Sequence, residues 1–357
     1  MAYERNNIQE LSAYIPGEQP ENGKVIKLNT NENPFPPGPA VEKVLGSLQA
    51  SALRRYPPPT AKGLRESIAH LHGVADEQVI VTNGGDELLR LAITCFVEID
   101  EAIAVVEPTY TLYETLAKTH GCGFIQFHLE EDWSLPQKLA ENLNSSGAKL
   151  CLIPNPHAPS GTLTDAASLS ALAQEFEGIL LIDEAYVDFV DPQLKHDCIA
   201  LLSHCDRVLL LRTFSKGYSL AGLRIAYGLG SRALIDPLYK TKDSYNTDYI
   251  AQKLAQAALE DQDYARGSWS FVIEQRRLLQ KSLEAMGFSC VDSQSNFLLV
   301  SMPSQLNAQK LYLDLKAKDI LVRYFAQPRL DNKLRISVGT ADENKKLIDT
   351  IRQLLDQ

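Results

Sequence analysis

From Gln78 to Gly230 the chain alternates short apolar runs with helix-like stretches, and no other feature constrains its fold as strongly. The runs are VIVTNG, AIAVVEP, FIQFHL, LCLIPNP, GILLIDEAY, RVLLLRTF and IAYGLG. Val, Ile and Leu occupy consecutive positions in them, so both faces of each strand need covering, as in a sheet held between two helix layers. Segments such as DELLRLAITCF and DAASLSALAQEF supply the helices between them. This pattern predicts an α/β fold, a three-layer αβα arrangement around a mainly parallel seven-stranded sheet.

The flanks read differently. After residue 248 one long helical stretch runs to Gly287, followed by NFLLVSM, a further helix and KLRISVG. The expected division is a large domain over 41–248 and a smaller α+β domain over 249–357. Residues 1–40, rich in Pro and Asn (NTNENPFPPGP), form an arm expected to pack on the small domain or on a partner subunit.

Composition narrows the function. With 35 Lys and Arg against 45 Asp and Glu, the net charge is −10, and no basic stretch is clustered. Nucleic acid and anionic membrane are therefore poor partners, whereas a few local arginines still suit a small anion. The start, MAYERNNIQEL, carries no secretory signal, and the apolar runs are too short to span a bilayer, so a cytoplasmic protein is expected. Six scattered cysteines without a CxxC pair suggest buried thiols. The group His196, Asp197, Cys198, His204 and Cys205 lacks standard ligand spacing, so it is expected to be surface and no metal is assigned.

Ligands of open α/β sheets bind beyond the carboxyl ends of the strands, so the residues that follow each run are informative. VIVTNG leads into Gly84, Gly85 and Asp86, a turn opening a helix, where free N–H groups and the helix dipole favour an anion. AIAVVEPTY ends at Tyr110, a ring on which a flat ligand can stack. LCLIPNPHAPSG presents Asn155 between prolines, and LIDEAYVDF places Asp183 at a buried strand end with Tyr186 three residues on. Singly, each has an ordinary structural meaning as turn, packing residue or ion pair.

RTFSKGYSLAGLR is the decisive segment. Lys216 follows a buried strand and Arg224 lies eight residues later. Cationic surroundings and desolvation turn such a lysine into an imine-forming nucleophile, and Thr213, Ser215 and Arg224 suit a phosphate dianion. Phosphate cradle, aromatic shelf, amine, buried carboxylate and donors for a phenolate oxygen together match pyridoxal 5'-phosphate (PLP).

On LNTNENPF, RYPPP, NGGDELL, EPTY, IPNPHAPSG, LIDEAYVDF, RTFSKGYSLAGLR, KDSYN and LRISVG, the chain resembles the fold-type I PLP aminotransferases, and within them the histidinol-phosphate aminotransferases. The resemblance implies Lys216 as the Schiff-base lysine and Asp183 as the partner of the pyridine nitrogen. It places Asn155 and Tyr186 on the phenolic oxygen, Tyr110 on the ring, and Gly85, Asp86, Thr213, Ser215 and Arg224 on the phosphate. Tyr56 would reach the phosphate in a neighbouring subunit, which implies a homodimer with shared active sites. Arg335, Arg323, Tyr14 and Asn33 would line the substrate pocket. One departure is His157-Ala158, where Asn-Pro is common in such enzymes.

The implied reaction converts L-histidinol phosphate and 2-oxoglutarate into imidazole acetol phosphate and glutamate, a step of histidine biosynthesis. A threonine-phosphate decarboxylase-like lyase and an aromatic amino acid aminotransferase share the same cofactor motifs and stay open at this point. A non-catalytic PLP-binding regulator would need a DNA-binding domain, for which the forty residues ahead of the fold leave no room.

Overall fold

The computed structural model describes residues 3–9, 11, 17–20 and 25–356. Each apolar run becomes a strand: β1 (Val79–Thr82), β2 (Ala102–Glu107), β3 (Gly123–His128), β4 (Leu150–Pro154), β5 (Ile179–Asp183), β6 (Val208–Thr213) and β7 (Ala226–Gly230). They form one seven-stranded sheet in the order β1-β7-β6-β5-β4-β2-β3. The pairs β2–β3, β2–β4, β4–β5 and β5–β6 are parallel, and only β7 runs against its neighbours.

Successive side chains of a strand point to opposite faces, and both faces here are apolar. Ala104, Cys151, Ile153, Leu180, Ile182 and Leu210 join the core on one side, while Ile103, Val105, Leu152, Leu181, Leu209 and Leu211 join the core on the other. A third core, built on Leu279, Leu298, Val300, Leu334, Ile336 and Leu347, belongs to the C-terminal unit. Its sheet is four-stranded and antiparallel: Arg323–Tyr324, Lys333–Ser337, Phe297–Ser301 and Ser289–Cys290.

The arm docks on that unit. Ile26–Lys27 pairs in parallel with Ile320–Leu321, and Leu28 enters the third core at 2% exposure. The long helical stretch after residue 248 divides at Asp261 into Tyr249–Glu260 and Gln262–Glu284. Its first half, which the expected boundary at 248/249 assigns to the small domain, buries Leu254, Ala255 and Ala258 in the first core of the large sheet. Its second half sends Leu279 and Leu283 into the third. The first turns of the second helix still pack on the first core through Ala265, so the passage between cores comes later, before Leu279.

All six cysteines are free. Among the described residues no helix is long and apolar enough to cross a membrane.

Leu181 sits at the middle of the sheet with no exposed surface. Leu181→Ala is expected to lower stability by about 3 kcal/mol, read as a lower urea midpoint by circular dichroism; an unchanged midpoint would contradict the packing described here.

Candidate active site

Five strands that run the same way (β1, β2, β4, β5 and β6) end on one edge of the sheet, and their following residues wall a cavity of about 510 Å³. Gly85 and Asp86 come from the end of β1, Tyr110 from β2, Asp183 from β5, and Thr213, Ser215 and Lys216 from β6. Arg224 precedes the reversed strand β7, so the reversal returns the chain to this edge and puts Arg224 in the same cavity. Tyr186, Arg323 and Arg335 complete the expected residues that line it.

At one end Gly84 has φ +76 and opens the helix Gly85–Phe96. A side chain there would put its Cβ 2.8 Å from Nη2 of Arg224. Nη2 lies 3.4 Å from Oδ2 of Asp86. The helix start, Ser215 and Arg224 thus line the same cavity, and the left-handed backbone at Gly84 favours glycine.

Lys216 is half-buried, and its Nζ donates to the main-chain oxygen of Thr30 at 2.9 Å. Burial, followed by the charge of Arg335, depresses the amine to about 8; Arg224 and Lys27 act the same way and Glu32 opposes them. Asp183 is pushed up to about 6 by burial, against the hydroxyl of Tyr113 and the N–H of Ala185, which donate to its two oxygens at 2.9 and 3.1 Å. A carboxylate so placed favours a cationic partner. Tyr110 packs edge-on against Tyr113, with ring centroids 5.6 Å apart.

These features fit PLP: an anion cradle, an amine near neutrality, an aromatic wall and a buried carboxylate in one cavity. Arg323 and Arg335 face each other across adjacent strands. Both guanidiniums lie over Phe325, at 5.3 and 5.5 Å from its ring centroid. Like charges placed opposite are unfavourable alone, so the pair suits an anionic ligand.

Three expected residues lie elsewhere. Asn155 is wholly buried, but its amide donates to the Thr164 oxygen at 3.0 Å and accepts from the Thr164 N–H at 2.8 Å, and the residue does not line the cavity. Asn33 also stays off the wall: its amide donates to the main-chain oxygens of Lys216 and Gly217 at 3.1 and 3.3 Å, so it holds the lysine's backbone. Tyr56 is 79% exposed and stacks on Tyr245, apart from its own chain's cavity. Tyr14 lies outside the described residues.

The arm contributes more than its sequence suggests. Asn29, Thr30 and Asn31 line the cavity, and Asn31 donates to the Tyr186 hydroxyl at 3.0 Å while its own carbonyl accepts from Asn296. Tyr113, three residues beyond Tyr110, lies inside a helix and so carries no strand-end signal.

His196 and Cys198, expected at the surface, are corrected to buried positions beside Glu184. Their ligand atoms lie within 4.8 Å of one another. Arg212, however, pairs with Glu184 at 2.7 Å, and the imidazole faces the Asn155 amide at 3.3 Å, so the group supports the loop beneath the site. His157 bridges Ser160 and the Pro108 carbonyl at 2.7 and 2.9 Å, and burial lowers it to about 4, which keeps it neutral.

Residues 23–351 match the aminotransferase class I and II family. A histidinol-phosphate aminotransferase of a Nostoc species is 42% identical over 99% of this chain and 98% of its own. That of Microcystis aeruginosa is 42% identical over 98% of each. In fold, the chain superposes on histidinol-phosphate aminotransferase from Sinorhizobium meliloti in complex with pyridoxal-5'-phosphate with a TM-score of 0.91, over 99% of both chains at 24% identity.

Two outcomes test the cavity. Gly84→Ala is expected to weaken PLP binding roughly tenfold or more, measured by absorbance titration, while leaving pyridoxal, which lacks the phosphate, unaffected; equal weakening of both would place the phosphate elsewhere. In the cofactor-free protein, an amine-reactive probe should label Lys216 with a rate that rises through pH 8, because the neutral amine forms above its depressed value. A rise only near the 10.5 of an ordinary lysine would contradict the burial.

Proposed function

The chain belongs to the aminotransferase class I and II family, and from that membership we propose that it transaminates L-histidinol phosphate with 2-oxoglutarate, giving imidazole acetol phosphate and glutamate. Pyridoxal 5'-phosphate is its cofactor. The carrying observation is that Lys216, Asp183, Arg224 and the pair Arg323–Arg335 converge on one cavity. The 38–43% identity to histidinol-phosphate aminotransferases over nearly the whole chain supports the same substrate.

When bound, PLP supplies a carbonyl that condenses with amines and a ring that takes up electrons from the substrate's α-carbon. Ser215, Thr213, Arg224 and the helix start at Gly85 would hold its phosphate, and Tyr110 and Tyr186 would confine its ring. Asp183, ionised against a cationic ring nitrogen, would keep the proton on that atom. Nζ of Lys216, depressed towards neutrality, would take the proton from the substrate α-carbon and give it back two atoms along, to the cofactor carbon beyond the shared nitrogen. Arg335 and Arg323 bind the anionic end of either substrate, the phosphate of the amine donor and a carboxylate of 2-oxoglutarate.

The exposed Tyr56, stacked on Tyr245 and apart from its own cavity, supports a homodimer in which it serves the partner's cofactor. Free cysteines throughout support a reducing, cytoplasmic setting.

A steady-state assay with histidinol phosphate and 2-oxoglutarate is expected to release glutamate, with phenylalanine a far poorer donor. Arg335→Leu should raise KM for both anionic substrates by about 2 kcal/mol equivalents, roughly thirtyfold. Faster turnover of phenylalanine, or carbon dioxide release without glutamate, would overturn the substrate assignment.

A further inference from the structure

Tyr113 contacts Asp183 through its side chain, and none of the assignments above gives it a task. It is the second residue of the helix Leu112–His120 and has no exposed surface. Its ring sits in the apolar core that covers one face of the large sheet. Phenylalanine would fill that space equally well. A phenol hydroxyl in such surroundings is unfavourable unless it is hydrogen-bonded. Here the hydroxyl donates to Oδ2 of Asp183 at 2.9 Å, while the Ala185 N–H serves Oδ1. The tyrosine also fixes the neighbouring shelf: its N–H donates to the Tyr110 carbonyl at 3.1 Å, and the two rings meet at 82°.

Building on the cofactor assignment above, we propose that Tyr113 is a positioning residue for the reaction, its hydroxyl aiming the Asp183 carboxylate and keeping it the anion that the cofactor's ring nitrogen requires. Several forces act against that anion. Burial is the largest, and Asp86 on the helix after β1 and Glu184 next in sequence add like charge; Tyr113 and the Ala185 N–H oppose them. Glu184 is itself paired with Arg212, which moderates its effect. Burial and the Asp183 charge hold the tyrosine well above its ordinary value, so it stays a donor at any working pH. Without that donor the ring nitrogen keeps its proton less firmly. The ring then withdraws less from the nitrogen of Lys216 bonded to it, and that nitrogen stays protonated to higher pH.

The test is a visible-absorbance pH titration of the PLP-loaded protein. Tyr113→Phe should move the midpoint up by about half a unit or more, in the same direction as Asp183→Asn and by less, with kcat lowered roughly three- to tenfold and KM little changed. Leu116→Ala, which trims the packing of the same helix on that core and removes no polar group, serves as the packing control and should leave the midpoint in place. A Tyr113→Phe midpoint equal to wild type, or an equal shift from Leu116→Ala, would overturn the proposal. A wild-type protein that takes up no PLP would instead sink the functional reading on which it rests.

Discussion

Withdrawal of one lysine amine from water organises the rest of this site. An ammonium group buried among cations is unfavourable, and the protein answers by moving the group towards neutrality. Arg335, Arg224 and Lys27 press on Nζ of Lys216, and its hydrogen bond goes to a main-chain carbonyl, that of Thr30. The same arginines give the cavity a positive lining that opposes the net charge of −10. Asp183 is displaced in the other sense by its own burial. A neutral-leaning amine and a carboxylate poised to ionise against a cation make an acid–base pair whose roles are set by environment, not by residue type.

The sheet makes that juxtaposition possible. Residues between Gly85 and Lys216 are far apart in sequence, yet parallel strands deliver them to one edge. Arg224 arrives by the opposite route, ahead of the reversed strand β7, so this cavity residue stands before a strand and not after one. The C-terminal unit supplies the paired arginines, and the arm ties the two together: Asn33 holds the backbone at Lys216, and Asn31 bonds both Tyr186 and Asn296.

Much of this was legible from residues 78 to 230, because a strand covered on both faces leaves a continuous apolar run and a buried ionisable group after it has few ordinary explanations. Lys216 and Asp183 stand out in that way, and Arg224 by its spacing of eight from Lys216. What failed to show had no local signal. That Tyr249–Glu260 packs on the core of the large sheet depends on contacts that exist only after folding. The Asn155 amide turns to Thr164 because that loop closes on itself, and the sequence offers no measure of such closure. His196 and Cys198 lie in a polar segment, yet Glu184 and Arg212 draw them inside. Tyr113 sits inside the helix Leu112–His120 and follows no strand, so nothing local marks it.

On the proposed function, Nζ of Lys216 bonds the cofactor whose phosphate rests against Arg224. Borohydride reduction of the PLP-loaded protein, followed by peptide mass spectrometry, examines that bond directly. The phosphopyridoxyl mass should appear on the peptide containing Lys216, in about one copy per chain, and should vanish in Lys216→Ala. The label on a different lysine, or no label on a protein that has visibly bound PLP, would contradict it.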